Sequence, residues 1–253
     1  MLSDKLNLAS GGSCNVSDNM DIKEMAMELT VHDIVRMLDV SAVGPDSSES
    51  DVRKMAALAH QYNCIACFAM PAYTPLLVEL LKDCPQIGVG GVIGFPSGAI
   101  TTAAKLSAVH EMIGIGCDEL DMVINIGRVK SGDYDYVYND MRSVVDAAGD
   151  VPVKVILECH YLTNEEIKTA CQLASKAGVA FVKTGTGWAP TGATSENIAL
   201  MKSCVGDQVQ VKAAGGVRDL ETLLDLHKLG ATRFGVGLNS AFSILQELEQ
   251  RKK

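Results

Sequence analysis

Positive charge is in short supply: 22 Lys and Arg stand against 31 Asp and Glu, a formal net charge of −9. That balance argues against a nucleic-acid backbone or an anionic membrane surface as partner. It leaves a small phosphorylated molecule open, because a few local donors can dominate a pocket. No apolar run reaches the roughly 18 residues of a membrane-spanning helix, and no secretory leader precedes the first charges. A cytoplasmic protein is therefore expected. Histidine is also sparse. The five histidines show no HxH or HExxH spacing. His60, His110 and His227 fall in helix-like segments, and only His160 follows an expected strand end. Neither a metal site nor a cofactor is expected. The eight cysteines are scattered, with one close pair, Cys64 and Cys67, inside an apolar run. Residues three apart on a strand point to opposite faces, so these read as buried strand cysteines.

The chain also has no composition shift or linker that would divide its 253 residues. Residues 1–20, rich in Ser, Asn and Gly, read as a loose leader, and 21–30 as a short helix with Asp21 as its cap. Residues 21–253 then read as one domain. Strand-like segments are expected near 36–40, 64–69, 87–93, 119–124, 153–158, 179–183, 209–213 and 232–236. Between them lie segments such as 48–61, 102–114, 135–148, 163–177, 194–204 and 219–229, whose apolar residues recur at three and four. Thr163 and Glu166 have the spacing of a capping box. Eight strands alternating with helices imply a parallel sheet. Eight units in this length favour an α/β fold closed as a single (β/α)8 TIM barrel. Pattern alone leaves a doubly wound sheet open.

In such a barrel the site lies at the C-terminal ends of the strands. Phe181-Val182-Lys183-Thr184-Gly185-Thr186-Gly187 places a lysine where an apolar run meets a glycine-broken loop. Val209-Gln210-Val211-Lys212-Ala213-Ala214-Gly215-Gly216 repeats the pattern about 30 residues on. Two lysines at equivalent ends of neighbouring strands repel, so one loses its proton more easily. A neutral lysine can attack a carbonyl and form a Schiff base. Asp121, inside the fourth expected strand, needs partners there, and Lys183 and Lys212 are the natural ones. Asp39 and Lys154 fit the same network in supporting roles. The alternative is a purely structural ion network. Glycine pairs follow three consecutive strands: Gly185 and Gly187, Gly215 and Gly216, Gly235 and Gly237. Loops after the seventh and eighth strands often cradle phosphate through backbone N–H groups, although such turns also need glycine for backbone reasons alone. Asp39, Ser41, Thr184, Gly187, Gly215, Gly216, Gly235 and Gly237 are thus the expected substrate or phosphate contacts.

Over residues 33–237 the chain resembles the deoxyribose-phosphate aldolases. The likeness is carried by Val92-Ile-Gly-Phe-Pro-Ser-Gly-Ala99, Asp118-Glu-Leu-Asp-Met-Val-Ile-Asn-Ile-Gly127, Lys130-Ser-Gly-Asp-Tyr134 and Val153-Lys-Val-Ile-Leu-Glu158. It continues in the two lysine motifs, in Gly192-Ala-Thr194 and in Lys212-Ala-Ala-Gly-Gly-Val-Arg218. The resemblance implies a metal-independent class I aldolase that reversibly cleaves 2-deoxy-D-ribose 5-phosphate to acetaldehyde and D-glyceraldehyde 3-phosphate. It implies Lys183 as the Schiff-base lysine, Lys212 as the lysine that lowers its pKa to about 7–8, and Asp121 as the proton relay through water. It implies a sugar phosphate or aldehyde as partner, and a homodimer.

The chain departs from the family near the site. Strand 1 ends in Asp39-Val40-Ser41 in place of a DHT-like end. Phe68 stands where a cysteine is frequent. Gly185 and Ala214 replace serines, and Trp188 follows the sixth strand's loop, where a smaller aromatic or a lysine is common. The paired serines that bind phosphate in the family are Gly237 and Leu238 here, and the tail beyond residue 240 lacks the family's terminal tyrosine. These changes motivate two alternatives: a lysine-dependent aldolase with a different or unphosphorylated acceptor, and a non-catalytic barrel that binds or scaffolds.

Overall fold

Side-chain caps decide where most of the helices begin. The Thr163 hydroxyl accepts from the Glu166 N–H (3.3 Å) while Glu166 Oε2 accepts from the Thr163 N–H (2.7 Å), the reciprocal box its spacing suggests. It opens a helix at Asn164–Ala177 that ends on the left-handed Gly178. Ser48 with Asp51 and Thr30 with Asp33 build the same device. The computed structural model describes residues 29–251. The expected leader and nearly all of the expected helix 21–30 lie outside them.

Eight strands close into a parallel barrel in chain order: β1 (Leu38–Ala42), β2 (Ala66–Ala69), β3 (Gly88–Ile93), β4 (Glu119–Val123), β5 (Val153–Ile156), β6 (Phe181–Lys183), β7 (Gln210–Ala214) and β8 (Ala231–Gly237). β8 pairs back onto β1, so the doubly wound alternative is overturned. The helices are α1 (Val31–Val35), α2 (Glu49–Tyr62), α3 (Thr74–Leu81), α4 (Thr102–Ile115), α5 (Ile126–Lys130), α6 (Tyr134–Ala148), α7 (Asn164–Ala177), α8 (Ser195–Val205), α9 (Leu220–Lys228) and α10 (Leu238–Arg251). The sequence pattern foresees α2, α4, α6, α7, α8 and α9. It does not foresee α3, whose Thr-Pro-Leu-Leu-Val-Glu-Leu-Leu has little polar face to set a helical period.

The main core lies between the sheet and its helices. α6 shows how it is built: Val137, Met141, Val144 and Ala148 recur on one buried face. Full burial of each larger side chain contributes roughly 1.5–3 kcal/mol. Lys105 of α4 is also fully buried in this layer. It donates to the Val123 carbonyl (2.9 Å) and pairs with Asp140 of α6 at 2.5 Å. A second, small apolar cluster (Ala66, Phe68 and Val92, with Val43, Ile65 and Phe95 packed on it) comes from β2, β3, the residue leading into β2 and the loops that follow β1 and β3.

Strand register fixes the site. Lys183 on β6 pairs with Lys212 on β7, which pairs with Arg233 on β8. Asp121 on β4 pairs with Lys154 on β5. Partners across a ladder share a face, so a band of charge assembles from strands distant in sequence.

Candidate active site

Four cations meet three carboxylates. Lys183 Nζ and Lys212 Nζ each lie 2.7 Å from Asp121 Oδ2. Lys212 also lies 2.6 Å from Asp39 Oδ2. Arg233 donates through Nε to Asp39 Oδ1 (2.9 Å) and through Nη2 to Glu119 Oε1 (2.8 Å), with a further close contact from Nη2 to Asp39. Lys154 Nζ sits 2.6 Å from Glu119 Oε1 and 3.3 Å from Asp121 Oδ1, off their hydrogen-bonding directions. All seven side chains are buried. Buried ionic groups require near-equal numbers of opposite charges, and this set carries one positive charge in excess when every group is ionised.

Lys183 is the group best placed to shed that charge. Burial pulls its pKa down from the usual lysine value. The Lys212 ammonium pulls the same way, against Asp121 and Asp39, and the result is about 8. Lys212 goes the other way. Burial disfavours its charge, but Asp121, Asp39 and Glu119 together hold it above the ordinary lysine range. Burial would raise the Asp121 carboxyl, yet Lys183, Lys212 and Lys154 outweigh it and keep it well below the usual carboxylate range. Asp39 is likewise lowered, its burial offset by Lys212, Lys154 and Arg233. The Phe68 ring adds to the asymmetry, with Lys212 Nζ 4.3 Å and Lys154 Nζ 4.9 Å from its centroid. A desolvated cation on an aromatic face gains about 2 kcal/mol.

Above this network opens a cavity of about 760 Å³. Asp39, Ser41, Lys183 and Lys212 line its base, and Gly187, Gly215, Gly216, Gly235 and Gly237 line its sides. Gly215 and Gly216 have φ of +81° and +117°, backbone that other residues rarely adopt, so the N–H groups here turn as a side-chain-bearing loop would not. Asp121 lies beneath, fully buried, and meets the cavity through the two lysines. Ser41 spends its hydroxyl on the Val236 carbonyl at 3.1 Å.

Thr184 is the one expected contact that does not line the cavity. Strand alternation sends it to the face opposite Lys183. Its hydroxyl donates to the Ala214 carbonyl (2.6 Å) and accepts from the Ala214 N–H (2.9 Å), tying the ends of β6 and β7 together. His160, at a 3-10 turn, lies with Nδ1 2.7 Å from Thr191 Oγ1. Among the described residues no group of His, Cys, Asp or Glu could hold a metal ion, and no helix is long and apolar enough to cross a membrane.

Sequence reasoning missed Arg233 and passed over Glu119, although Glu119 shares a strand face with Asp121. It also missed a strap across the mouth. Glu158, buried with φ +53°, accepts from the Thr186 N–H at 3.1 Å and from its hydroxyl. Thr186 Oγ1 accepts from the Trp188 N–H at 3.0 Å. The Trp188 indole N–H donates to the Val43 carbonyl at 2.9 Å, and its ring stands edge-on to Phe95 at 5.9 Å. The loop after β6 is thus pinned to the loops after β1 and β3.

A parallel (β/α)8 barrel with a buried, partly neutralised lysine at its mouth defines an enzyme scaffold of the lysine-dependent kind. Residues 35–241 match the model of the DeoC/LacD family aldolases. The chain belongs to that family. It is similar to deoxyribose-phosphate aldolase of Klebsiella pneumoniae, 45% identical over 230 residues that cover 90% of this chain and 92% of that protein. The Sinorhizobium medicae protein of the same name is 42% identical, covering 92% and 94%. Among solved structures, a deoxyribose-phosphate aldolase described as putative, from Coccidioides immitis, superposes with a TM-score of 0.83 at 33% identity, over 87% of each chain. A tetrameric deoxyribose phosphate aldolase from Aeropyrum pernix gives 0.82 at 25% identity, over 91% and 97%.

Proposed function

We propose that this chain reversibly cleaves 2-deoxy-D-ribose 5-phosphate to acetaldehyde and D-glyceraldehyde 3-phosphate, with Lys183 forming the Schiff base. The observation that carries this reading is the Lys183 amine, its pKa drawn down to about 8, at the base of an open cavity and 2.7 Å from a buried carboxylate. Neutral Lys183 adds to the C1 carbonyl of the open-chain sugar, and loss of water leaves a protonated imine. The C3 hydroxyl gives up its proton, the C2–C3 bond breaks, and its electron pair moves into the imine to give an enamine and glyceraldehyde 3-phosphate. Protonation of the enamine carbon and hydrolysis release acetaldehyde and restore the amine. Asp121 is ionised at rest. It is shielded from the cavity, so it takes up the C3 hydroxyl proton, and later returns it to the enamine carbon, through the Lys212 ammonium or a water beside it.

The phosphate is assigned to backbone N–H groups around Gly187, Gly215, Gly216 and Gly237 and at the start of α10, where the helix dipole favours an anion. Members of this fold need no metal for such chemistry when a lysine supplies the electron sink. A homodimer and a cytoplasmic location complete the reading.

Reduction with borohydride in the presence of acetaldehyde tests it. An ethyl adduct confined to Lys183 is expected, and its yield should rise as pH climbs through about 8, because only the neutral amine attacks. A folded protein without that adduct would remove the assignment.

One observation favours a second reading. Leu238 and Trp188 line the cavity with Phe95, so its outer wall is partly apolar. An acceptor without phosphate would suit that wall. Under the main reading kcat/KM for the 5-phosphate exceeds that for free deoxyribose by at least about tenfold, since one charge-assisted hydrogen bond is worth about 1.5–3 kcal/mol. Equal values would shift the assignment to the unphosphorylated acceptor.

A further inference from the structure

Trp188 is the only tryptophan in the chain, and it reaches across the mouth. In the barrel β7 and β8 lie between β6 and β1, and β4 and β5 lie between β6 and β3. A side chain from the loop after β6 that touches the loops after both β1 and β3 must therefore cross the opening rather than follow its rim. Trp188 does so through the bond from its indole N–H to the Val43 carbonyl (2.9 Å) and the edge contact with Phe95. The sector between that bond and the rim holds the loop after β7 and the end of β8, with Gly215, Gly216 and Gly237. The backbone groups assigned to the phosphate are fenced off there.

The strap is firm at both ends and loose in one part. The Phe68 ring covers Gly90, its register partner on β3, so closely that a Cβ there would come within 2.0 Å of ring carbon Cε1. Phe95 and Val43 pack on the same cluster, so the surface that receives the indole is fixed. At the root, buried Glu158 spends its carboxylate on the Thr186 N–H (3.1 Å) and hydroxyl, and Thr186 Oγ1 in turn holds the Trp188 N–H. The anchor runs up to the Trp188 backbone, and the part free to swing is the indole. That side chain is 42% exposed. One neutral hydrogen bond holds it to Val43, and water can replace either partner.

We propose that the Trp188 indole is a latch over the glycine loops. It swings off Val43 to admit the phosphorylated end of the substrate, closes on it, and swings off again to release glyceraldehyde 3-phosphate. Glu158 is the positioning residue that keeps the latch in line. The inference rests on the reading of Lys183 as the imine-forming residue and of the glycine loops as the phosphate cradle. Acetaldehyde ends at Lys183 and does not reach those loops, so its exchange does not depend on the latch.

Acrylamide quenching of tryptophan emission on the full chain reads the latch directly, because no other tryptophan contributes. Saturating glyceraldehyde 3-phosphate should cut the quenching constant at least about twofold, since a ligand that prefers the closed state shifts the equilibrium toward it. Unphosphorylated glyceraldehyde at the same concentration should leave the constant near its free value. Trp188→Phe keeps a ring beside Phe95 and loses the indole N–H. Its KM for 2-deoxy-D-ribose 5-phosphate should rise about three- to tenfold, the span of one neutral hydrogen bond, with kcat no lower and with borohydride trapping of acetaldehyde at Lys183 preserved. Glu158→Gln should move KM the same way. The double variant should exceed the larger single effect by less than about twofold, because both residues act through one strap. Quenching that glyceraldehyde 3-phosphate leaves unchanged, or a Trp188→Phe whose KM stays at the wild-type value, overturns the latch. A loss of trapping or of kcat in folded Trp188→Phe overturns it too, because the ring then shapes the reacting centre. Equal protection by glyceraldehyde overturns the phosphate dependence and leaves the Lys183 reading untouched. KM effects that multiply in the double variant remove Glu158 from the strap. Should Glu158→Gln fail to fold, the quenching and Trp188→Phe still decide. A wild type that gives no ethyl adduct with acetaldehyde counts against Lys183 alone, and the quenching series then tests the latch by itself.

Discussion

Lys183→Met is expected to lose turnover by at least about 10⁴-fold, as removal of a covalent nucleophile does elsewhere, and at the same time to unfold at a higher temperature than the wild type. Loss of activity alone would be a modest result. The gain in stability is the sharper expectation, and it comes from charge counting. Lys183 has a pKa of about 8 in the folded chain against 10.5 for a free lysine. Below pH 8 both states carry the proton, and the folded state bears a disfavoured charge worth about 3 kcal/mol. Between pH 8 and 10.5 the unfolded chain binds more protons, so stability rises with pH and the penalty fades. Methionine keeps the length and apolar bulk of the stem and removes the excess charge, leaving Lys154, Lys212 and Arg233 against Asp39, Glu119 and Asp121. A gain of about 1–3 kcal/mol at pH 7 corresponds to a rise of roughly 3–8 °C in Tm for a chain of this size. Calorimetry of the two proteins at pH 7 and pH 10 checks it. The gap should narrow at the higher pH, and a variant that melts well below the wild type at pH 7 would refute the charge excess.

Asp121→Asn should do the reverse to stability. The amide keeps the shape but leaves four cations facing two carboxylates. Breaking a buried pair by removing one partner costs about 3–5 kcal/mol. Turnover should fall by about 10²–10⁴-fold, the usual range for a lost general acid–base group. The pH profile tells this apart from simple damage. Asp121 is the strongest influence raising the Lys183 pKa, so its loss should move the acid limb of kcat/KM below 8. An acid limb that moves upward, or a kcat that survives intact, would show that Asp121 does not hold the lysine proton in place.

The barrel and its two lysines were legible because each signal is local. A β-branched run ending in lysine and then glycine marks a strand leaving the core, and it occurs twice at the right separation. Asp121 was legible because a carboxylate within an apolar strand demands a partner. Arg233 was not. Ala-Thr-Arg-Phe reads as a strand with an outward arginine until β8 closes on β1 and turns that position toward Asp39. Glu158 was assigned to a strand end, and nothing in its neighbours announces left-handed backbone or a bond to Thr186. Thr184 was expected among the substrate contacts on residue type and position after Lys183, whereas the two-residue alternation of the strand puts it on the other side. Helix α3 escaped because Leu76-Leu-Val-Glu-Leu-Leu81 is apolar nearly all round, and Pro75 at its start suggests a turn as readily as a helix.

The contact between Phe68 and Gly90 has a historical side. Any side chain at position 90 would drive its first carbon to 2.0 Å from the ring, so the two positions could not change in either order. Glycine had to stand at 90 before phenylalanine could be accepted at 68. Once the ring was seated, every return path through 90 was closed until 68 shrank first. A relative with alanine or serine at the position of Gly90 should therefore carry a residue smaller than phenylalanine opposite it. The pair behaves as a ratchet in descent: a permissive loss of one carbon on one strand, followed by a gain on its neighbour that locks the loss in.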